Sequence, residues 1–402
     1  MTERSGMSVP GEGASIRLGD QVFEWAADGR AVRPALVTQV GRSFQVQHPE
    51  VPVLLDHGRH LVVDLVAGGV PAPRRPEGAD EHADWRIEHL PAGAVVVVDR
   101  PSVEAGPADD DTAGLLAGLS PQSFDESMRF LTGLPTRHSW STGFGEAADW
   151  SSDRLAGSGF AVTRHSITVG TGSSANVVGE LPGTGTGDRA VVLVTAHLDS
   201  VNTPGGPSAP APGADDNGSG SAGALELGRV LAGRSWRHDL RVILFGGEEQ
   251  GLHGSRQYVA ALAPHERARI RAVLNLDMVG SLNTAAPTVL LEGAPLSAAL
   301  IDDLARAAAT WTGLAVETSL NPFASDHVPF LDGGIPAVLT IEGADSANKN
   351  IHSDRDVLAT VTTDLAMQIL RMDAAALAGW LQPVEAGQKS RAEGSSVPLR
   401  TA

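Results

Sequence analysis

Short apolar runs rich in β-branched residues recur through the middle of the chain. They fall at Val191–Ala196, Leu240–Phe245, Ala272–Leu276 and Ala337–Ile341. None has a polar alternation, so each predicts a strand buried on both faces of a sheet rather than one with a wetted face. Between them, apolar residues return at helical spacing over Ala222–Leu231, Leu296–Trp311 and Val361–Leu381. Upstream, Ser123–Leu134 and Glu146–Leu155 have the same helical period, while Ala161–Val169, Ala175–Glu180 and, further on, Thr288–Leu291 read as strands. This alternation predicts an α/β fold.

The first hundred residues have a different rhythm. Short β-like runs at Ser15–Trp25, Arg33–Val40, Ser43–His48, Val51–Leu55, Leu61–Ala67 and Ala94–Asp99 are separated by Gly, Pro and Asp turn signals. They predict a small β-rich accessory module over residues 1–100. Within it, Asp56-His57-Gly58-Arg59-His60 reads as a solvated hairpin turn, since nothing nearby supplies a further metal ligand. Residues 101–114, with Asp109-Asp110-Asp111, read as a linker, residues 115–383 as the main domain, and residues 384–402 as a polar flexible tail.

Composition narrows the partners. The 402 residues are 42% hydrophobic and 19% charged with a net charge of -18. That argues for a globular chain and against a nucleic-acid partner, because binding phosphate needs a basic surface. There is no cysteine, so a metal would be held by His, Asp and Glu. The N-terminus shows no apolar core of signal-peptide length and no segment is long enough to span a bilayer. The expected location is therefore cytoplasmic, or secreted if the chain is trimmed.

Three successive predicted strands end in candidate chemistry. Val191–Ala196 runs into His197-Leu198-Asp199-Ser200, followed by a Pro- and Gly-rich loop ending in Gly213-Ala214-Asp215-Asp216-Asn217-Gly218. Leu240–Phe245 runs into Gly246-Gly247-Glu248-Glu249, and Ala272–Leu276 into Asp277-Met278. Two adjacent carboxylates disfavour each other's ionisation unless a cation sits between them. Taken alone, each motif could be a helix cap or an acidic turn. Three successive strand ends delivering candidate ligands to one sheet edge point instead to a metal site. Later loops add Asp326-His327 and His352.

These motifs, in this order and closed by Ile351-His352-Ser353, resemble the M28 family of zinc peptidases, the bacterial leucyl-type aminopeptidases in particular. The resemblance covers about Leu115 to Leu381. It implies a mixed central sheet flanked by helices, two Zn2+ ions per chain, and hydrolysis of the N-terminal peptide bond of a peptide or small amide. It makes His197 and Asp277 ligands of one zinc, Glu249 and His352 ligands of the other, and Asp216 the bridging carboxylate. Asp199 would orient His197, Glu248 would be the general base, and the Asp216–Asn217 peptide would be cis.

The resemblance also implies an apolar pocket at Met278, Leu339, Ile341 and Ile351, hence a leucine-like first residue. Some relatives place a tyrosine near the oxyanion. The one tyrosine here, Tyr258, lies on a predicted helix, Pro322 occupies the corresponding loop, and His327 is the candidate substitute. Rival readings are a carboxypeptidase or small-metabolite amidohydrolase on the same fold, a one-zinc glutaminyl-cyclase-like acyltransferase, and a non-catalytic binding module. Oligomeric state is not legible in the sequence.

Overall fold

The computed structural model describes residues 14–25, 34–65, 84–88, 94–99 and 103–384. Its strands are β1 (Ala14–Leu18), β2 (Gln21–Trp25), β3 (Pro34–Gln39), β4 (Val53–His57), β5 (His60–Asp64), β6 (Trp85–Glu88) and β7 (Ala94–Asp99), followed by β8 (Ala161–Val169), β9 (Gly172–Leu181) and β10 (Val191–His197). Beyond these come β11 (Asp239–Phe245), β12 (Ile270–Leu276), β13 (Thr288–Gly293), β14 (Ala315–Ser319) and β15 (Ala337–Glu342). Eleven of them form one mixed sheet in the order β2-β1-β7-β14-β13-β15-β12-β10-β11-β9-β8.

Strand β10 is buried along its whole length and pairs in parallel with β11 and β12. Because side chains alternate across a strand, its residues divide between two cores. Val192, Val194 and Ala196 pack with Leu240, Val242 and Leu244 of β11 against the helices Gly220–Ala232 and Thr363–Leu381 on one face. Val191 and Leu193 join Ile243, Phe245 and Val273 against Tyr258, Phe330 and Leu331 on the other. The result is a sheet covered on both sides by helices. Each fully buried valine or leucine here contributes about 1.5–3 kcal/mol of transfer free energy. Since β10, β11 and β12 run the same way, their C-terminal ends share one edge, and the polar residues following them meet there.

The N-terminal strands divide between two sheets. β3, β4, β5 and β6 make a four-stranded sheet in the order β4-β5-β3-β6 over their own core of Ala35, Val37, Phe44, Leu61 and Val63. β1, β2 and β7 instead extend the large sheet, through antiparallel pairing of β7 with β14.

Three local expectations change. Ser43–His48 alternates polar and apolar like a strand but forms a helix at Ser43–Gln47. There Phe44 alone is buried, its N–H donating to Gln39 Oε1 at 3.1 Å, so tertiary anchoring overrides the alternation. Asp109, placed in the expected linker, caps a helix at Asp110–Leu116 by accepting from the Thr112 N–H at 2.7 Å. β6 and β14 are additional short strands. The expected tail at 384–402 lies, but for Val384, outside the described residues. No helix among the described residues is long and apolar enough to cross a membrane.

Candidate metal centre

His197 ends β10, Glu248 and Glu249 follow β11, and Asp277 follows β12, so the sheet register alone brings three of the predicted groups together. Asp216 arrives from the other direction, in the turn before the helix Gly220–Ala232. Asn217 after it is joined by a cis peptide bond. The Asn217 side chain braces this turn, donating to Leu276 O at 2.9 Å and accepting from the N–H groups of Gly220 (2.9 Å) and Met278 (3.2 Å).

Asp216 divides its two oxygens between two imidazoles. Oδ1 stands 3.2 Å from His197 Nε2 and Oδ2 stands 3.1 Å from His352 Nε2. Asp277 Oδ1 is 3.3 Å from His197 Nε2, and Glu249 Oε2 is 3.0 Å from His352 Nε2. Two donors at about 2.0–2.1 Å from a tetrahedral zinc stand roughly 3.3 Å apart. Each of these four spacings is that of two donors to one zinc, His197 with Asp277 and Asp216 Oδ1 in a first group and His352 with Glu249 and Asp216 Oδ2 in a second. Among the described residues, the sets of three whose ligand atoms all lie within 4.8 Å of one another are His197, Glu248 and Asp277, and His197, Asp216 and Glu249. Glu248 Oε2 lies 4.0 Å from His197 Nε2, beside the first group. The donor set, imidazole nitrogens and carboxylates without sulfur, suits zinc and equally other N/O-binding divalent ions.

The electrostatics also call for cations. Burial pushes the His197 imidazole down, but Glu248 and Asp277 outweigh it and hold its pKa well above the ordinary value. Burial opposes charge on His352 in the same way and is overcome by Glu249 and Asp216. Burial, then Asp216, lifts Glu249 to about 7, against the pull of His352. Burial raises Glu248 well above the usual carboxylate range, with Asp326, Asp277 and Glu249 adding to it and His197 opposing. Negative charge packed this tightly out of water is stable only with positive partners.

The supporting contacts differ in detail from expectation. His197 Nδ1 faces the backbone carbonyl of Asp199 at 3.2 Å, with the Asp199 carboxylate at 3.7 Å. That carboxylate accepts the N–H groups of Glu248 (3.2 Å) and Glu249 (3.3 Å) instead. Ser325 donates to Asp277 Oδ2 at 2.6 Å and accepts from Asn275 Nδ2 at 2.9 Å. Ser325, Asp356 and Arg137 are site-supporting residues that sequence reasoning missed. No motif marks them, because each acts through backbone or ligand atoms brought near by folding.

Met278, Leu339, Ile341 and Ile351 do come together in one apolar cluster and line the cavity that holds the ligands. Met278 and His352 have φ of 52° and 54°, uncommon for residues with side chains and found where surroundings hold the backbone. His327 is a correction. It opens the helix His327–Asp332, is completely buried, faces Glu292 at 3.5 Å and does not line this cavity, because the helix start turns it inward. Tyr258 is likewise directed elsewhere, accepting from Arg241 Nη1 at 2.6 Å.

Comparison with known proteins gives the family and the fold. The profile of peptidase family M28 matches residues 176–377, half of the chain. An aminopeptidase of Pseudomonas aeruginosa is 41% identical over 152 residues, covering 36% of this chain and 27% of the relative. A probable zinc metalloprotease of Pyricularia oryzae is 33% identical over 222 residues, covering 50% of this chain and 42% of the relative. The matched stretch thus spans less than half the length of either relative. In fold, the chain is similar to the LapA aminopeptidase of Legionella pneumophila, with a TM-score of 0.60 at 16% identity over 88% of this chain and 99% of that one.

Proposed function

The chain belongs to peptidase family M28, and from that premise we propose that it is a di-zinc aminopeptidase removing apolar, leucine-like residues from the N-terminus of short peptides. The observation that carries the reading is the division of Asp216 between His197 and His352, at 3.2 and 3.1 Å, with Asp277 and Glu249 completing the two groups. His197, Asp277 and Asp216 would hold one zinc, and His352, Glu249 and Asp216 the other. Bound there, zinc supplies Lewis acidity that acidifies water and polarises a carbonyl.

The chain's own residues do the rest. Glu248 is buried beside the first group with its proton affinity raised, which suits a carboxylate that takes a proton from water and returns it to the leaving amine. Asp199 fixes the backbone of Glu248 and Glu249 by accepting both N–H groups. Its carbonyl engages Nδ1 of His197, leaving Nε2 directed at the ligand cluster. Met278, Leu339, Ile341 and Ile351 form the apolar wall that receives the first side chain.

The test is hydrolysis of leucine p-nitroanilide and its N-acetyl form by zinc-loaded protein, with a chelated control. Cleavage of the free-amine substrate alone, and only with metal, supports an exopeptidase that reads the α-amine. Equal cleavage of both substrates would remove the N-terminal selectivity from the proposal.

A further inference from the structure

The cavity that holds the metal ligands is walled in part by the N-terminal strands. Val40, immediately after β3, and Arg59, at the tip of the β4–β5 hairpin, line it together with His197, Glu248 and Ile351. The turn after β3 approaches the apolar side of the cavity closely. A Cβ on Gly41 would stand 3.7 Å from Ile351 Cδ1.

This wall is anchored rather than laid loosely against the sheet. Arg59 is 5% exposed and clamps both oxygens of Glu292 at 3.1 and 3.2 Å, Asp345 at 3.1 Å, and the carbonyl of Phe323. Such a fork-on-fork pair out of water fixes geometry as well as energy. Burial opposes ionisation of Glu292, but Arg59 wins and draws it to about 2. Asn321 donates to Thr38 Oγ1 at 2.8 Å and accepts from Arg86 Nη2 at 3.0 Å. At Gly58, where φ is 68°, a Cβ would meet Ser346 Oγ at 2.2 Å, so a side chain there would strain the backbone and displace that hydroxyl. The contacts to Asn321 and Phe323 fall on the loop whose Ser325 bonds Asp277.

We propose that the N-terminal strands are a fixed wall of the substrate pocket, and that Val40 sets the size limit on the substrate's first side chain. The cavity they leave is about 50 Å³, well under the roughly 300–1,000 Å³ of sites for larger ligands. The wall therefore confines the enzyme to substrates presenting one modest apolar residue. This assignment of Val40 rests on the aminopeptidase reading; the position of the wall does not.

Two measurements on the full chain test it. In the first, Val40→Ala and Val40→Phe are compared with the unsubstituted protein on alanine, leucine and phenylalanine p-nitroanilides. Filling or emptying an apolar pocket by a few carbons shifts discrimination by about 10–200-fold. Val40→Phe should lower the leucine-to-alanine ratio of kcat/KM at least tenfold, and Val40→Ala should raise the phenylalanine-to-leucine ratio. Ratios unmoved by both substitutions overturn the role of Val40.

The second measurement needs no turnover. The chain has no cysteine, so Val40→Cys carries a single spin label, and Val22→Cys on β2 serves as reference. β2 stands six strand spacings from β12, roughly 29 Å at the usual separation. With Mn2+ in place of Zn2+, the label at position 40 should broaden strongly and the one at position 22 weakly. Equal broadening, or none at position 40, overturns the wall. If the protein cleaves none of the three substrates but position 40 broadens, the wall stands and the aminopeptidase reading falls.

Discussion

The carboxylate of Asp356 accepts the backbone N–H groups of both Asp215 and Asp216, at 2.9 and 3.0 Å. One oxygen serves each amide, so the turn that presents Asp216 hangs from a residue 140 positions later in the chain. Orienting partners of metal ligands are typically worth 10–100-fold in affinity. Asp356→Ala should therefore weaken zinc binding by about that factor while the circular dichroism of the fold is retained. Competition against a chromogenic chelator measures it, and unchanged affinity would show that the turn holds itself.

Glu248 stands beside the ligands and is not assigned as one. Glu248→Gln keeps its shape and removes its ability to carry a proton. The variant should bind two zinc ions like the parent and lose about 10²–10⁴-fold in kcat. Metal content by elemental analysis and initial rates decide the matter together. A variant of normal activity would eliminate Glu248 as the base, and one that loses metal would make it a ligand.

Arg137 acts beneath the site without touching it. It is fully buried and donates to the carbonyls of Leu198 (2.8 Å), Gly213 (2.9 Å) and Leu131 (3.1 Å), which lie beside His197, ahead of Asp216 and at the end of a helix. Burial lowers its pKa to about 10 despite Asp356 and Asp199, so it stays charged at neutral pH. Arg137 also donates to the Pro212 carbonyl. Arg137→Met leaves the carbonyls of Leu198 and Pro212 without a donor at about 1–3 kcal/mol each, while Gly213 and Leu131 keep the N–H groups of Gly218 and Leu134. The thermal unfolding midpoint should drop by roughly 2–7 °C. An unchanged midpoint would show that water replaces the guanidinium.

That His197, Glu249 and Asp277 would meet was legible because each lies at or just after the end of an apolar strand run, whereas His352 sits in an irregular turn that no local pattern marks. The pocket wall was not. Arg59 sits in Asp56-His57-Gly58-Arg59-His60, a polar run that resembles a wet turn, and its partners Glu292 and Asp345 lie 233 and 286 residues away. β14, which carries the N-terminal strands onto the main sheet, is only five residues long and half polar. His327 misled for the opposite reason. An Asp-His pair looks like chemistry, yet only the packed helix reveals that the ring turns toward Glu292.

A last expectation concerns pH and lies away from the metal centre. Asp373, on the helix Thr363–Leu381, is completely buried, and burial raises its pKa well above the ordinary 3.8, with a bond to Thr340 opposing. An acid whose folded pKa is raised keeps its proton in the native state after the unfolded chain has lost it. Its contribution is then full below about pH 4 and is lost as pH rises toward the folded pKa, by up to about 1.4 kcal/mol per pH unit. Asp373→Asn cannot ionise and escapes that loss. Urea unfolding at pH 4.5 and pH 7.5 should show the variant gaining on the parent as pH rises. A constant difference between the two proteins would mean that Asp373 titrates alike in the folded and unfolded chain.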